Sequence, residues 1–320
     1  MARSCRRALD EISGLGVDFT LLRPPSYHEP TAPVKHRLTR SAPSRYSKCM
    51  IRRLLLFLFL LPALAPNAHA APPPRRIVSL SPGTTEMLFA LGLGKFVVGD
   101  TVYCNYPPAA LKVAKIGDVN TSYEKVLALR PDLIVADAVA NSRAITRLKQ
   151  LRQPVFAVRP TSLAGVEDSL RQIGARTGTS AQAARLIGEM ERKAALASRL
   201  ASQDRHPKPH VLIVVQTAPL WTAGRGSFLD DLVTRAGGIN IGHSVPEYGA
   251  FSKERILALP PDVVLGDSSV EAAFRADPFL RRLTAVRLGR FYALPADLTS
   301  RPGPRLADGL LLLARALHGK

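Results

Sequence analysis

The chain has 320 residues, 46% hydrophobic and 22% charged, enough apolar material for a packed core and too much for wholesale disorder. Its length suits two domains once a leader is set aside, and three cysteines exclude a disulfide-dense secreted scaffold. The formal charge of +19 invites a nucleic-acid reading, but residues 1–70 carry +7 of it and the rest shows no dense basic run. No zinc-finger, RNA-recognition or basic-zipper motif accompanies it, so no nucleic-acid partner is expected.

The first recognisable segment begins at Met50. Two arginines, Arg52 and Arg53, precede an apolar run from Leu54 to Ala65, and Ala68-His-Ala70 follows as a small-residue cleavage signal. The run falls short of the ~20 apolar residues of a spanning helix, and Pro62 and Pro66 interrupt it. Residues 50–70 are therefore read as a cleaved signal peptide, with export and a soluble mature chain starting near Ala71. Residues 1–49, rich in Arg, Pro and Ser, are read as an over-extended start or an unusual leader. Cys49 lies ahead of the apolar run, and Cys104 is left as the one cysteine of the mature chain.

That chain opens on a predicted strand, Arg76 to Leu80, then a Ser-Pro-Gly-Thr-Thr turn, a helix from Glu86 to Leu91 ending at Gly92, and a second strand near Phe96–Asp100. Strands and helices alternating at this interval predict an α/β fold with mostly parallel sheets. An internal repeat is the most informative feature. Tyr123–Asp137 and Lys253–Asp267 match at a constant offset of 130, sharing Glu124/Glu254, a Leu-Ala-Leu triplet, Pro-Asp and a final Asp. Each copy reads as a short helix, a Pro-Asp turn and a buried strand. A looser echo links Thr85–Gly92 with Phe228–Gly237. Between the copies, Ser180 to Ser202 has no Pro and only Gly188, and Leu186, Met190 and Leu200 mark one face of a long helix. A strand from His210 to Val215 then starts the second half. The organisation is an N-terminal lobe (71–178), a linking backbone helix (179–204) and a C-terminal lobe (205–320), with a cleft between lobes.

Together, Arg76-Ile-Val-Ser-Leu-Ser-Pro-Gly-Thr-Thr-Glu86, Tyr103-Cys-Asn-Tyr-Pro-Pro108 and the two Glu-bearing repeats resemble the class III periplasmic substrate-binding proteins of ABC importers. These are the helical-backbone receptors, and the similarity is greatest to the cobalamin (vitamin B12)-binding branch, over roughly residues 75–318. The resemblance implies two Rossmann-like lobes joined by one long rigid helix, and a monomer that captures a corrinoid and hands it to a permease dimer with its ATPase subunits. No cofactor is implied; cobalamin is cargo.

Carried over residue by residue, the resemblance assigns Glu124 and Glu254 to permease docking, one carboxylate per lobe entering an arginine pocket. Thr121-x-x-Glu124 also fits a capping box, a purely local role. The second copy has Phe251 at the matching position, where no such box forms, and Glu254 is present nonetheless, which favours docking. A flat corrinoid calls for aromatic surface with a few polar groups at the rim. The resemblance places Tyr103, Trp221 and Tyr248 in the cleft, together with the loop Asp297, Leu298, Thr299, Ser300 and Arg301 before a C-terminal helix (Pro304–His318). Core packing is the competing reading for both tyrosines, whereas the Thr-Ala-Gly-Arg-Gly that follows Trp221 suggests an exposed ring on a loop. Arg225 and Arg301 are cationic rim candidates, a solvated surface position being the favoured reading for Arg225.

Two departures bear on ligand identity and disulfides. Asp118 and Asp137 stand where cobalamin binders often carry further tryptophans, and Ala236 and Ala314 stand where some members have a disulfide. Haem or a ferric siderophore is the alternative cargo, with Tyr103 or His243 as an axial haem ligand. No His-Glu-x-x-His, paired-Cys, Gly-x-Ser-x-Gly or P-loop motif is present, and Gly92-x-Gly94 closes a helix instead of opening one. An enzyme on the same scaffold is the less favoured class, since fold alone does not exclude it; neither a metal site nor a catalytic residue is expected.

Overall fold

The computed structural model describes residues 72–319 apart from 119, 294, 296 and 298–300. The leader and signal segment, and Leu298, Thr299 and Ser300, lie outside the described residues. No helix among the described residues is long and apolar enough to cross a membrane.

The N-terminal lobe runs β1 (Ile77–Ser79), α1 (Pro82–Ala90), β2 (Val97–Gly99), α2 (Tyr123–Ala128), β3 (Leu133–Asp137), α3 (Ser142–Gln150), β4 (Val155–Val158) and α4 (Leu163–Thr177). Its four strands are parallel in the order β2-β1-β3-β4. The 24-residue helix α5 (Ser180–Gln203) follows. The C-terminal lobe contributes β5 (His210–Ile213), β6 (Gln216–Thr217), β7 (Leu220–Ala223), α6 (Phe228–Arg235), β8 (Ile239–Asn240), β9 (Tyr248–Ala250), α7 (Lys253–Ala258), β10 (Val263–Leu265), α8 (Ser268–Ala276), α9 (Thr284–Arg287), β11 (Phe291–Tyr292) and α10 (Leu306–His318). Strands β11-β10-β5-β8 form a second parallel sheet. Numbered within its own lobe, each parallel sheet has the order second-first-third-fourth. A third sheet, the antiparallel β6-β7-β9, is an addition that the sequence did not suggest.

The 130-residue repeat has a structural cause. Asp132 accepts the backbone N–H groups of Arg75 and Arg76 at 2.7 and 2.9 Å, and Asp262 accepts that of His210 at 2.8 Å. In each lobe the Pro-Asp turn thus pins the start of the first parallel strand beside the third. The closing acids also correspond: Asp137 accepts from the N–H groups of Val139 and Ala140, and Asp267 from those of Ser269 and Val270. Both are Asx turns that send the chain out of its strand into a helix.

Helix α1 begins four residues ahead of the expected Glu86. Ser81 caps it by accepting from Thr84 N–H at 3.3 Å, and Pro82 occupies the first turn, so the presumed turn is the helix start. Gly83 there has a steric reason, since a Cβ would lie 2.5 Å from the Pro302 carbonyl oxygen. The echo between the halves reappears in the termini: α1 and α6 both run out into a left-handed glycine, Gly92 (φ 78°) and Gly237 (φ 83°).

One hydrophobic core crosses the molecule. Ile77, Met87, Leu133 and Leu170 of the first lobe join Ile187 and Met190 of α5, Val211 and Leu232 of the second lobe, and Leu306, Leu310 and Leu313 of α10. Two smaller clusters fill the opposite sheet faces, around Ile134 and Leu148 in one lobe and around Phe251 and Phe274 in the other. Helix α10 is also fastened at its end, where His318 donates from Nε2 to the Ala236 carbonyl at 2.7 Å and Nδ1 meets Asp204 at 2.8 Å.

Candidate functional site

In a sheet of this order, ligands gather outside the carboxyl ends of the strands, where the chain direction across the sheet reverses. In the first lobe that edge carries the loop after β2. Tyr103 lies on it, half-exposed at 50%, so the core-packing reading of this ring does not hold. Beneath the loop is a buried polar network. Ser79 Oγ lies 2.7 Å from Thr84 Oγ1, Thr85 Oγ1 donates to Ser79 Oγ at 2.8 Å, and Cys104 Sγ sits 3.2 Å from both Thr85 and Thr101 hydroxyls. Burial pushes the Cys104 thiol up, so it is not a poised nucleophile.

Lys115 anchors the same loop with all three of its donors. Nζ donates to Asp100 Oδ1 at 2.7 Å, to the Cys104 carbonyl at 3.1 Å and to the Ala110 carbonyl at 2.9 Å. Asp100 is fully buried, and burial pushes its carboxyl up to about 6 against the opposing pull of Lys115. Between the ordinary Asp range near ~4 and about 6, the folded protein holds a proton here that the unfolded chain has lost, so stability falls as pH rises through that window. Asp100→Asn is expected to flatten that fall relative to the wild type, measured as urea unfolding free energies across the window. An unchanged slope would show that Asp100 ionises normally.

In the second lobe, the hairpin β6–β7 follows directly on β5. Trp221 belongs to strand β7, not to the loop that the flanking sequence suggested. Its pairing explains its exposure of 38%: Thr222 on the inner face is fully buried and donates to the Ile213 carbonyl at 2.6 Å, which turns Trp221 outward. Trp221 pairs with Ala250 and Ala223 with Tyr248, so antiparallel register puts Trp221 and Tyr248 diagonally on one face. Tyr248 is 41% exposed, which also removes its core-packing reading. Its hydroxyl is pushed up to about 12, first by burial and then by the carboxylates of Glu247 and of Asp137 on the other lobe.

A strap before α10 returns to the first lobe. Arg305 grips the buried Glu86 carboxylate with Nε at 2.9 Å and Nη2 at 2.6 Å, and its guanidinium lies 3.7 Å over the Tyr106 ring. Arg301 pairs with Asp297 at 3.2 Å, lies 3.9 Å from Glu86 and donates to Asn105 Oδ1. Of the expected loop, Asp297 and Arg301 therefore come together with the Tyr103 loop. Sequence reasoning missed Glu86, Asn105, Arg305 and Lys115. Glu86 carried a signal, an acid between Thr85 and Met87 on the apolar side of its helix.

Glu124 and Glu254 occupy equivalent places and are exposed. The caps are Ser122 and Ser252, which accept from Lys125 N–H and Arg255 N–H at 3.4 Å each, and neither Thr121 nor Phe251 is a cap. A helix-start role is therefore open to both glutamates, and the absence of a box at Phe251 no longer favours docking. Their carboxyls are held below the ordinary range by hydrogen bonds to their own backbone N–H and to the capping serine.

A family model described as a periplasmic binding protein matches residues 77–298. The chain belongs to the periplasmic binding protein family. YvrC of Bacillus subtilis, an uncharacterized ABC transporter substrate-binding lipoprotein, is 31% identical over 252 residues, covering 77% of this chain and 80% of that relative. The periplasmic vitamin B12-binding protein BtuF of Vibrio cholerae gives a TM-score of 0.68 at 28% identity, covering 77% of this chain and 97% of that one. The apo periplasmic heme-binding protein RhuT of Roseiflexus sp. RS-1 gives 0.68 at 31%, covering 76% and 98%. This is a solute-binding protein of the ABC importer type, a binding class and not an enzyme class.

Within this binding-protein frame, the two departures have structural accounts. Asp137 is buried and committed to its Asx turn, and Asp118 accepts from Asn120 N–H at 2.6 Å. Ala236 and Ala314 are both buried in the main core, and the His318 bond to the Ala236 carbonyl ties α10 to α6 there. Among the described residues, no group of three or more His, Cys, Asp or Glu could hold a metal ion.

Proposed function

We propose that this periplasmic binding protein captures cobalamin, or a related corrinoid, in the interlobe cleft and delivers it to an ABC importer permease and its ATPase subunits. The lobes are those bounded at 71–178 and 205–320, joined by 179–204, and the exported form is soluble after cleavage of the signal near Ala70/Ala71. Trp221 and Tyr248, with Tyr103 of the first lobe, would cover the flat corrin, with the strap of Asp297–Arg301 at its rim. Glu124 and Glu254 would dock the two permease subunits.

The observation that carries this reading is the paired exposed face of Trp221 and Tyr248 on the sheet built out from β5. The strap supports it through charge. Arg301 and Arg305 are already matched by Glu86 and Asp297, so this rim offers little net charge to a dianionic haem or a ferric siderophore. One observation favours haem as the second reading. His243 Nδ1 faces Asp230 at 3.0 Å while the ring stays largely exposed, which orients a free Nε2 as metal-ligating histidines are oriented.

The test is gel filtration after incubation with cobalamin, haemin or a ferric siderophore, followed by visible spectra. Co-elution of cobalamin is expected. Trp221 is the single tryptophan, so quenching of its fluorescence reports the cleft directly. Trp221→Ala is expected to weaken binding roughly 30-fold, the effect of losing a central aromatic anchor worth ~2 kcal/mol. A Soret band with haemin and no retained cobalamin would overturn the corrinoid reading.

A further inference from the structure

Helices α2 and α7 each bury a single side chain, Val126 and Ile256. The rest of each helix is open, and the openness repeats. Leu127 and Leu257 are 38% and 48% exposed, 130 positions apart. Each stands three residues after Glu124 or Glu254, which places carboxylate and leucine on the same helix face. Ala128 and Ala258 extend that face and are exposed as well. Neither glutamate has an ion-pair partner among the described residues. Single exposed leucines are ordinary on protein surfaces. A leucine beside an exposed carboxylate that has no ion-pair partner among the described residues, at matching sites in both lobes, is a patterned surface instead.

We propose that α2 and α7 each present a two-part docking epitope, one carboxylate plus one leucine, to one of two like subunits of the permease. Each socket would hold a cation beside an apolar hollow. The inference rests on the docking reading above and goes beyond it by naming the apolar half of the contact. Repetition argues for this occupant. The two lobes share one strand order and show the same patch once each, so a two-fold dimer can meet both patches with the same socket. Charge and apolar area then divide the work. The carboxylates steer the approach and set its register, and the leucines supply the desolvated centre that holds the complex.

The experiment compares two double variants for binding to the cognate permease–ATPase complex in lipid nanodiscs, at low and at high salt. Leu127→Ser with Leu257→Ser is expected to weaken docking about tenfold or more at both salt levels, keeping the wild-type salt dependence. Glu124→Gln with Glu254→Gln is expected to weaken docking mainly at low salt and to remove most of that dependence. Ligand retention should match the wild type in both, and any drop in melting temperature of the glutamate variant, whose carboxylates accept from the helix-start N–H groups and the capping serines, is read separately from docking. If the leucine variant docks like the wild type while the glutamate variant fails, the two-part epitope is wrong and the carboxylate docking stands. If both dock like the wild type, the docking reading falls and takes this inference with it.

Discussion

Replacing Glu86 by alanine is expected to lower the melting temperature by roughly 6–12 °C, from ~3 kcal/mol of lost stability at ~2–4 °C per kcal/mol for a chain of this size. The carboxylate is 3% exposed and takes both guanidinium bonds of Arg305, and it lies within reach of Arg301. Removing one partner of a buried pair leaves the other charge desolvated without compensation, so the cost exceeds that of a surface bridge. Arg305 still has the Tyr106 ring and Asp297, which keeps the loss at the lower end of the ~3–5 kcal/mol seen for buried pairs. Glu86→Gln retains an acceptor and should lose less. Calorimetric melts of the three proteins check the order, and a melting temperature within measurement error of wild type for the alanine variant would show that the strap is held by something else.

Charge reversal at both proposed docking positions, Glu124→Lys with Glu254→Lys, is expected to cut uptake by about two orders of magnitude or more while affinity for the proposed ligand, cobalamin, stays unchanged. Close interfacial charge pairs couple by ~1.5–7 kcal/mol, so two pairs at the lower bound already exceed a hundredfold. Reversal adds repulsion from the cationic socket proposed for the permease to the loss of attraction, so each lysine variant should do more damage than the alanine. Ligand titration and uptake through the cognate importer are the paired measurements. Lost ligand affinity would assign the glutamates to the fold or the cleft, and normal uptake by the double variant would remove them from docking.

Much of the architecture was legible because it is local and repeated. The helix-turn-strand units at 123–137 and 253–267 announce two like lobes, and the Pro-free stretch after Ser180 announces the helix between them. The candidate site was less legible, for physical reasons. Trp221 acquires its exposed face from pairing with Ala250, and strands of two to four residues are too short to show alternation. The cap was misread because Thr121 and Glu124 have the spacing of a capping box, while Ser122, one residue on, holds the helix. The loop Asp297–Arg301 was expected, but its anchor to the first lobe could not be foreseen. Glu86 and Arg305 are 219 residues apart, and nothing in either neighbourhood identifies the other.

The shared core has a consequence for biosynthesis. Ile77 and Met87, near the start of the described chain, pack in one cluster with Leu306, Leu310 and Leu313 of α10. The first lobe therefore cannot complete its interior while the ribosome is still making the second, although domains generally fold as units from the N-terminus onward. The first lobe's own cluster around Ile134 and Leu148 needs nothing from α10, so it is the shared face alone that waits for that helix. For the exported form proposed above, late closure would keep the polypeptide in a passable state, and the helix that seals the core would then commit it to fold after passage.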